Sequence, residues 1–363
     1  MGYFVGSPIT YQSNNKDLLN EINMIFEYND EQDENTELAK NASIYGVAYE
    51  YLYMLDNTIR FKVLDTREVI PIYDKTAEDN LVAIIRVYKD YDWTRKEEIN
   101  YVEVITENEI AKYEINSSYT TLTLLDSYPH YFKMVPVAVY RNNEECIGDF
   151  ERIIPLIDAY DLLESDSLND FEYFTDCYLC LYGFTADSSD IQNMKENRVL
   201  LMDADTKAEW LVKDSNDASI TNMKNRIDND IHKFAKCPNM SDESFASNAS
   251  GIAIKFKTMG TENLVAVKER KFKKGLQMRL ELIALIKGVI QDGFDWREIE
   301  ISFTRNIPTN LTDIADVITK LEGVVSNETL LTQIPFVSDV QSELTKIDKE
   351  KEKNPFFQPD TEY

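Results

Sequence analysis

The sequence predicts an α+β fold, and three observations predict it. The first 145 residues alternate apolar and polar side chains in the β manner, rich in β-branched and aromatic residues. Successive strands there follow one another without intervening helices, which favours antiparallel pairing. From Gly148 onward the apolar positions change to helical spacing, and they keep it for most of the chain. At 363 residues the chain is also too long for one simple core, so two or three subdomains are expected.

The elements follow in order. Residues 2–11 (GYFVGSPITY) read as part of a strand region, as though the chain began partway through one. Residues 16–41 form a helical exception: Leu18, Leu19, Ile22, Ile25 and Phe26 recur at helical spacing, followed by an acidic polar stretch. Strands are expected at 44–55, 59–64, 68–73, 81–88, 101–105 and 119–125, with a turn at Leu55-Asp56-Asn57.

Residues 148–176 predict an acidic helix. Phe150, Ile153, Ile157, Tyr160, Leu163, Phe171 and Phe174 mark its apolar positions, and Pro155 fits its first turn or a kink near its start. Nine acids stand there against the single base Arg152, among them Asp158, Asp161, Glu164, Asp166 and Asp170. Residues 177–212 read as short strands at 178–182, 199–202 and 209–212. Residues 219–237 predict a helix with Ile220, Met223, Ile227, Ile231 and Phe234 on one face, stopped by Pro238. Residues 239–251 (NMSDESFASNASG) are a loop by composition, and 252–257 read as a short extended segment.

Residues 262–291 predict a long basic helix. Leu264, Val267, Phe272, Leu276, Leu280, Ile283 and Ile286 mark its face, and Lys268, Arg270, Lys271, Lys273, Lys274, Arg279 and Lys287 outnumber its acids. A strand follows at 297–303. Short helices are then expected over 310–353: Gly323 closes one, Ser326 caps the next, and Ser338 with Gln341 forms a capping box for the last. Residues 354–363 read as a frayed end.

Composition narrows the function. The chain carries 65 acids against 38 Lys and Arg, a net charge of −27. That argues against tight general binding to DNA, which needs many phosphate contacts, but not against DNA passing by a surface of like sign. No apolar run approaches the roughly 20 residues needed to span a bilayer, and the start is neither a signal nor a transit peptide. Cys146, Cys177, Cys180 and Cys237 make no disulfide framework, which points to a reducing cytoplasm. There is no phosphate-binding loop, dinucleotide glycine pattern, HExxH or nucleophile elbow, and no repeat of solenoid or propeller period.

One set of residues has metal-ligand types: Cys177-x-x-Cys180 with His232-x4-Cys237, which by type and spacing suits zinc. Against it, the two halves lie at the ends of different elements, and Cys177 and Cys180 sit among Tyr178, Leu179 and Leu181, where cysteine serves as a small apolar residue. Asp203 and Asp205 fit a turn better than a cation site. His130 and His232 are the only histidines, and neither has a triad setting. No enzyme and no cofactor is therefore expected.

The chain resembles the portal proteins of tailed bacteriophages, the SPP1-like portal family. The resemblance is carried by GYFVGSPITY (2–11), HYFKMVPVAVYRNN (130–143), GDFERIIPLIDAYDLLESDSLNDFEYFTD (148–176), NRIDNDIHKFAKCPNMSDESFASNASGIAIKF (225–256), ENLVAVKERKFKKGLQMRLELI (262–283) and FTRNIPTNLTDIADVITKLEGVVSNETLLTQIPFVSDV (303–340). It implies a ring of about twelve subunits with closed symmetry. The axial channel of such a ring carries double-stranded DNA into the capsid and out again.

By segment the resemblance implies a wing over 1–147, stem helices over 148–176 and 215–238, and a clip over 177–214. A channel loop and strand then take 239–257, a long helix and return strand to the wing 258–308, and an incomplete crown 309–363. It implies a place at the capsid vertex of the virion, with assembly in the host cytoplasm. The implied partners are further copies of itself, the terminase large subunit, scaffolding and major capsid proteins and a head-completion adaptor, with no membrane. ATP hydrolysis would belong to the terminase. The family has further residues before the GYFVG stretch and after the crown helices, so shortened ends are expected.

The candidate sites follow from that map. Ser241, Ser244, Phe245, Asn248, Ser250 and Gly251 match the loop that projects into the channel. Asp158, Asp161, Glu164, Asp166 and Asp170 face either the channel, where rings of carboxylates would repel phosphate, or the outer solvent. The bases Lys268, Arg270, Lys271, Lys273, Lys274 and Arg279 touch DNA, pair with acids of a neighbouring subunit, or form a solvated face; pairing between subunits is favoured because acids outnumber bases. Two other classes stay open: a non-ring minor capsid or head-completion protein, and a metal-dependent nucleic-acid enzyme using the Cys/His set.

Overall fold

A computed structural model of the chain describes residues 2–116, 118–175, 178–182, 187–197, 207–211, 217–240, 251–290, 295–305, 311–334, 337 and 340–353. The α+β expectation holds, with helices interleaved among antiparallel sheets.

The start differs from expectation. Gly2–Val5 is a short helix, α1, because Phe4 turns inward against Phe272 and Phe303, each 5.6 Å away between ring centroids. Only Thr10–Gln12 is a strand (β1). Helix α2 (Lys16–Tyr28) is capped by Asn15, whose side chain accepts from the Leu18 N–H, and it buries Leu18, Ile22, Ile25 and Phe26. Asn29 then ends it and docks it: its amide donates to the carbonyls of Ile25 (2.7 Å) and Ile59 (3.0 Å) and accepts from the Phe61 N–H. The acidic stretch that follows is itself a helix, α3 (Glu31–Tyr45), which buries Leu38, Ala39 and Ala42. It runs through Ile44 and Tyr45, so the strand expected at 44 begins at Val47. Gly46, at φ +82°, makes the turn between them, and a Cβ there would collide with the carbonyl of Cys146.

Strands β2 (Val47–Leu55) and β3 (Thr58–Leu64) form a hairpin. Its two loop residues, Asp56 and Asn57, both have positive φ, as the twist of a tight hairpin requires. Five more strands form a second antiparallel sheet in sequence order: β4 (Val69–Tyr73), β5 (Leu81–Asp92), β6 (Glu97–Ile105), β7 (Glu109–Ile115) and β8 (Leu122–Pro129). Strand β9 (Val137–Arg141) pairs with β2 to give the three-stranded order β3-β2-β9. Ile84, Ile105 and Ile110 of the large sheet meet Tyr49 and Val137 of the small one, and Val135 just before β9, in a shared core.

After a short 3-10 turn (Glu151–Ile153), helix α4 runs Ile154–Thr175 with Pro155 in its first turn, where a missing N–H costs nothing. Strands β10 (Tyr178–Tyr182) and β11 (Lys207–Leu211) pair antiparallel. Between them stands an unexpected helix, α5 (Ser188–Asn197), started by the Asp187 carboxylate accepting from the N–H groups of Ser189 (2.9 Å) and Asp190 (3.0 Å). The strand expected at 199–202 lies outside the described residues. Helix α6 spans Asp217–Ala235.

Helix α7 runs unbroken over Gly251–Ile290, 40 residues. The extended segment expected at 252–257 is therefore helical, and the long helix begins eleven residues before the expected Glu262. Strand β12 (Glu300–Ser302) returns to pair with β1 at the other end of the chain. Helices α8 (Leu311–Leu321), α9 (Asn327–Leu331) and α10 (Val340–Lys353) follow. Gly323 (φ +78°) and the Ser326 cap act as expected, while Ser338 lies outside the described residues, as do 354–363.

The main core joins the N-terminal helices, the small sheet and α7. Phe272, Leu276, Leu280, Leu282 and Ile283 of α7 are all but fully enclosed in it. Burying each such side chain is worth about 1.5–3 kcal/mol. Gly275 lets α7 come close to β9, since a Cβ there would overlap the ring of Tyr140.

Candidate functional site: the α4–α6 pair and the long helix

Helix α7 spends its positive charge in two ways, set by helical phase. Val265, Lys268, Phe272, Leu276, Arg279 and Ile283 fall on one face, three or four residues apart, so two bases enter the core with the apolar side chains. Arg279 is fully enclosed. Its guanidinium donates to both Glu50 oxygens (2.7 and 2.8 Å), to Glu31 (3.0 Å) and to Asn35 (2.8 Å). Tyr140 donates to Glu50 at 2.8 Å, and Tyr11 donates to Glu31. Burial by itself would lower the Arg279 pKa; Glu50, Tyr140 and Glu31 more than reverse that and hold it well above its ordinary value. Burial pushes Tyr11 and Tyr140 up, because a phenolate there would lose its hydration.

Lys268, 8% exposed, bonds Asp149 and the Ser43 hydroxyl, tying α7 to the segment that enters α4. Lys271 pairs with Glu144, and Lys273 donates to the Ile301 carbonyl at 3.2 Å. The expected pairing between subunits is thus corrected for Lys268, Lys271 and Arg279: their acids lie in their own chain. Arg270 and Lys274 stand on the other face and are exposed, in a stripe with Asn263 and Val267. Arg305 adds a further clasp, reaching Glu262 (3.0 Å) and Glu269 (2.6 Å), and Tyr3 donates to Glu262. Burial, then the Glu262 hydrogen bond, pushes Tyr3 up to about 12.

The α4–α6 pair is built differently. Among the described residues one ion pair crosses it, Lys224 to Glu164 at 3.0 Å, and Ile227 is its buried contact on α6. Asp158, Asp161 and Asp166 are exposed; Asp170 lies in α4 with its side chain outside the described residues. Large apolar side chains also face out: Leu162 and Leu168 on α4, Met223 and Phe234 on α6, each half exposed or more. The single apolar face expected for α6 is therefore split between a buried Ile227 and open Met223 and Phe234. Loop candidates Ser241, Ser244, Phe245, Asn248 and Ser250 lie outside the described residues, and Gly251 is the first residue of α7.

Sequence reading missed an acidic cleft of about 1190 Å³ between the β1 edge, α2–α3 and α9. Glu27, Asp30, Asp33, Glu298, Glu300 and Glu328 line it. No local pattern announces it, because its walls come from both ends of the chain. It also missed Glu31 and Glu50 as partners of Arg279, which lie 248 and 229 residues away in sequence.

Among the described residues no three potential metal ligands converge. His232 Nδ1 lies 3.2 Å from the Cys237 carbonyl, Cys237 is exposed, Cys177 lies outside the described residues, and the Cys180 side chain is likewise undescribed. His130 Nε2 meets the Thr106 carbonyl at 2.7 Å. Asp203 and Asp205 lie outside the described residues. No helix among the described residues is long and apolar enough to cross a membrane.

The chain thus combines a self-closed body around α7 with a helical pair whose large apolar side chains stand open. The sequence matches the family model described as phage portal protein, SPP1 Gp6-like, over residues 1–355, and the chain belongs to that family. It is similar to the portal protein of Bacillus phage SPP1, 26% identical over 96% of this chain and 73% of that protein. It is also similar to the portal protein of Clostridium phage phiCD119, 24% identical over 93% of this chain and 79% of that protein.

Proposed function

We propose that this chain is a portal subunit that forms a ring of about twelve at a capsid vertex, a closed cyclic assembly. The ring serves as the conduit for double-stranded DNA during packaging and ejection. The observation that carries this reading is the α4–α6 pair. Leu162, Leu168, Met223 and Phe234 lie open in the lone subunit beside the exposed carboxylates of Asp158, Asp161 and Asp166. Side by side in a ring, the apolar side chains close between neighbours and the carboxylates repeat around the bore. Repeated carboxylates repel phosphate and discourage adhesion of the duplex.

In this reading residues 1–147 are the wing, 148–176 and 215–238 the stem, 177–214 the clip, 239–257 the channel loop with the start of α7, and 309–363 the crown. Of the candidate bases, Arg270 and Lys274 are the exposed ones left to meet DNA or a neighbour's acids. The chain does no chemistry. It docks a terminase, which hydrolyses ATP, and head-completion, scaffolding and major capsid proteins, and it resides in the virion. Electron microscopy of the purified protein tests the reading. A ring with an open axial bore is expected, and a closed particle without a bore at high protein concentration contradicts it.

A further inference from the structure

The outer face of the five-stranded sheet is apolar; Val102 and Ala111 at its centre are shielded, while Ile70, Leu122 and Leu124 at its margins are bare. Strand pairing places Ile70, Ile85, Val104 and Ala111 in one cross-strand row on that face. The next row is Val87, Val102, Tyr113 and Leu124. A third ends in Ile115 and Leu122. No carboxylate stands in these three rows, which otherwise hold only Lys89, Asn100 and Ser127. The opposite face packs on the small sheet through Val69, Ile84, Ile105 and Ile110 and also holds charge: Arg86, Glu103, Lys112 and Asp126 form one row there.

An antiparallel sheet ordinarily packs one face on the core and leaves the other polar and wet. Here neither cluster of buried side chains includes a residue of the apolar face. Ile70, Leu122 and Leu124 are each more than half exposed. Strand β8 at the sheet edge is exposed at all eight residues. A long apolar edge strand left bare is a template for association.

We propose that a neighbouring copy of this chain covers this face, so that it forms part of the contact between adjacent subunits. The inference rests on the ring reading above and adds a second, separate contact to the one at the α4–α6 pair. Charge selects the occupant. Each copy carries −27, and like charges set opposite one another are costly, so two copies meet best where carboxylates are absent. A basic partner would instead be drawn to the acid-rich surfaces. Size agrees. Strands about 4.8 Å apart and a few residues long give a face on the order of 400 Å². A stable pair of proteins needs about 800 Å² from each partner. The face is thus too small to join two copies alone and suits subunits already held side by side elsewhere.

The test uses the full chain with benzoylphenylalanine replacing Leu124, and separately the double variant Leu122→Glu with Leu124→Glu. Assembly of the unaltered chain is measured first by native mass spectrometry, which settles the ring reading independently. Given a ring, light should yield a chain-to-chain adduct through position 124, and the double variant should need at least tenfold more protein for half-assembly. Both leucines are solvent-open in the lone subunit, so its circular dichroism and unfolding midpoint should not change. A ring that gives no chain-to-chain adduct at 124, adducts only to a co-expressed capsid or scaffolding protein, or unaltered assembly of the double variant each overturns the proposal. Absence of any ring overturns both readings.

Discussion

The core around α7 and the α4–α6 pair use similar residue types to opposite ends. In the core, charge and apolar surface are both closed off within one chain. Arg279 meets Glu31, Glu50 and Asn35 with no exposure, and Phe272 packs between Tyr140 (4.9 Å) and Phe4 (5.6 Å). In the helical pair, among the described residues, a single ion pair crosses between helices, Asp158, Asp161 and Asp166 face solvent, and Leu162 and Leu168 stand open. The difference teaches where stability and assembly separate. The body closes its apolar surface within one chain, while the pair leaves large apolar side chains open.

The largest expected effect tests the closed half of that contrast. Arg279→Met leaves Glu31 and Glu50 buried without their cation, and breaking such a pair costs about 3–5 kcal/mol. Urea unfolding of the subunit should show that loss. A change below about 1 kcal/mol, the range of exposed pairs, would erase the distinction between the two regions. The smallest effect tests the open half. Glu164→Gln removes the Lys224 pair, whose carboxylate is 42% exposed. A loss of about 0–1 kcal/mol is expected, shrinking as salt is added. A salt-insensitive loss of several kcal/mol would mean that the pair is as closed as the body.

Much of the fold was legible in the sequence because it is written in local periodicity. The acidic helix, the α6 helix, the long helix with its Phe272, Leu276, Leu280 and Ile283 face, the Asp56-Asn57 hairpin and the Ser326 cap all stand close to where the pattern put them. The misses have physical causes. α3 buries small residues and uses its acids as internal partners, so its face looks polar throughout. α5 depends on a single capping aspartate in a polar stretch. At 252–257 the alternating residues IAIKFK mimic a strand, but the helix of α7 extends through them.

The site was less legible. Seven bases on one helix suggested a surface charge, yet Lys268 and Arg279 fall in phase with Val265, Phe272, Leu276 and Ile283. That phase was the available signal that they point inward. Their partners come from residues more than a hundred positions away, which no local pattern reveals. The family resemblance, carried by long segments in order, reached further than any single motif and is upheld over residues 1–355.

Hydrogen exchange of the dispersed subunit against its assembled form tests most directly whether the helical pair is completed by its neighbours. The core face of α7 around Phe272–Ile283 should be equally protected in both states. The amides of α4 and α6 should exchange readily in the lone subunit and slow markedly on assembly. Full protection of α4 and α6 in the lone subunit, with no further slowing on assembly, would contradict the account.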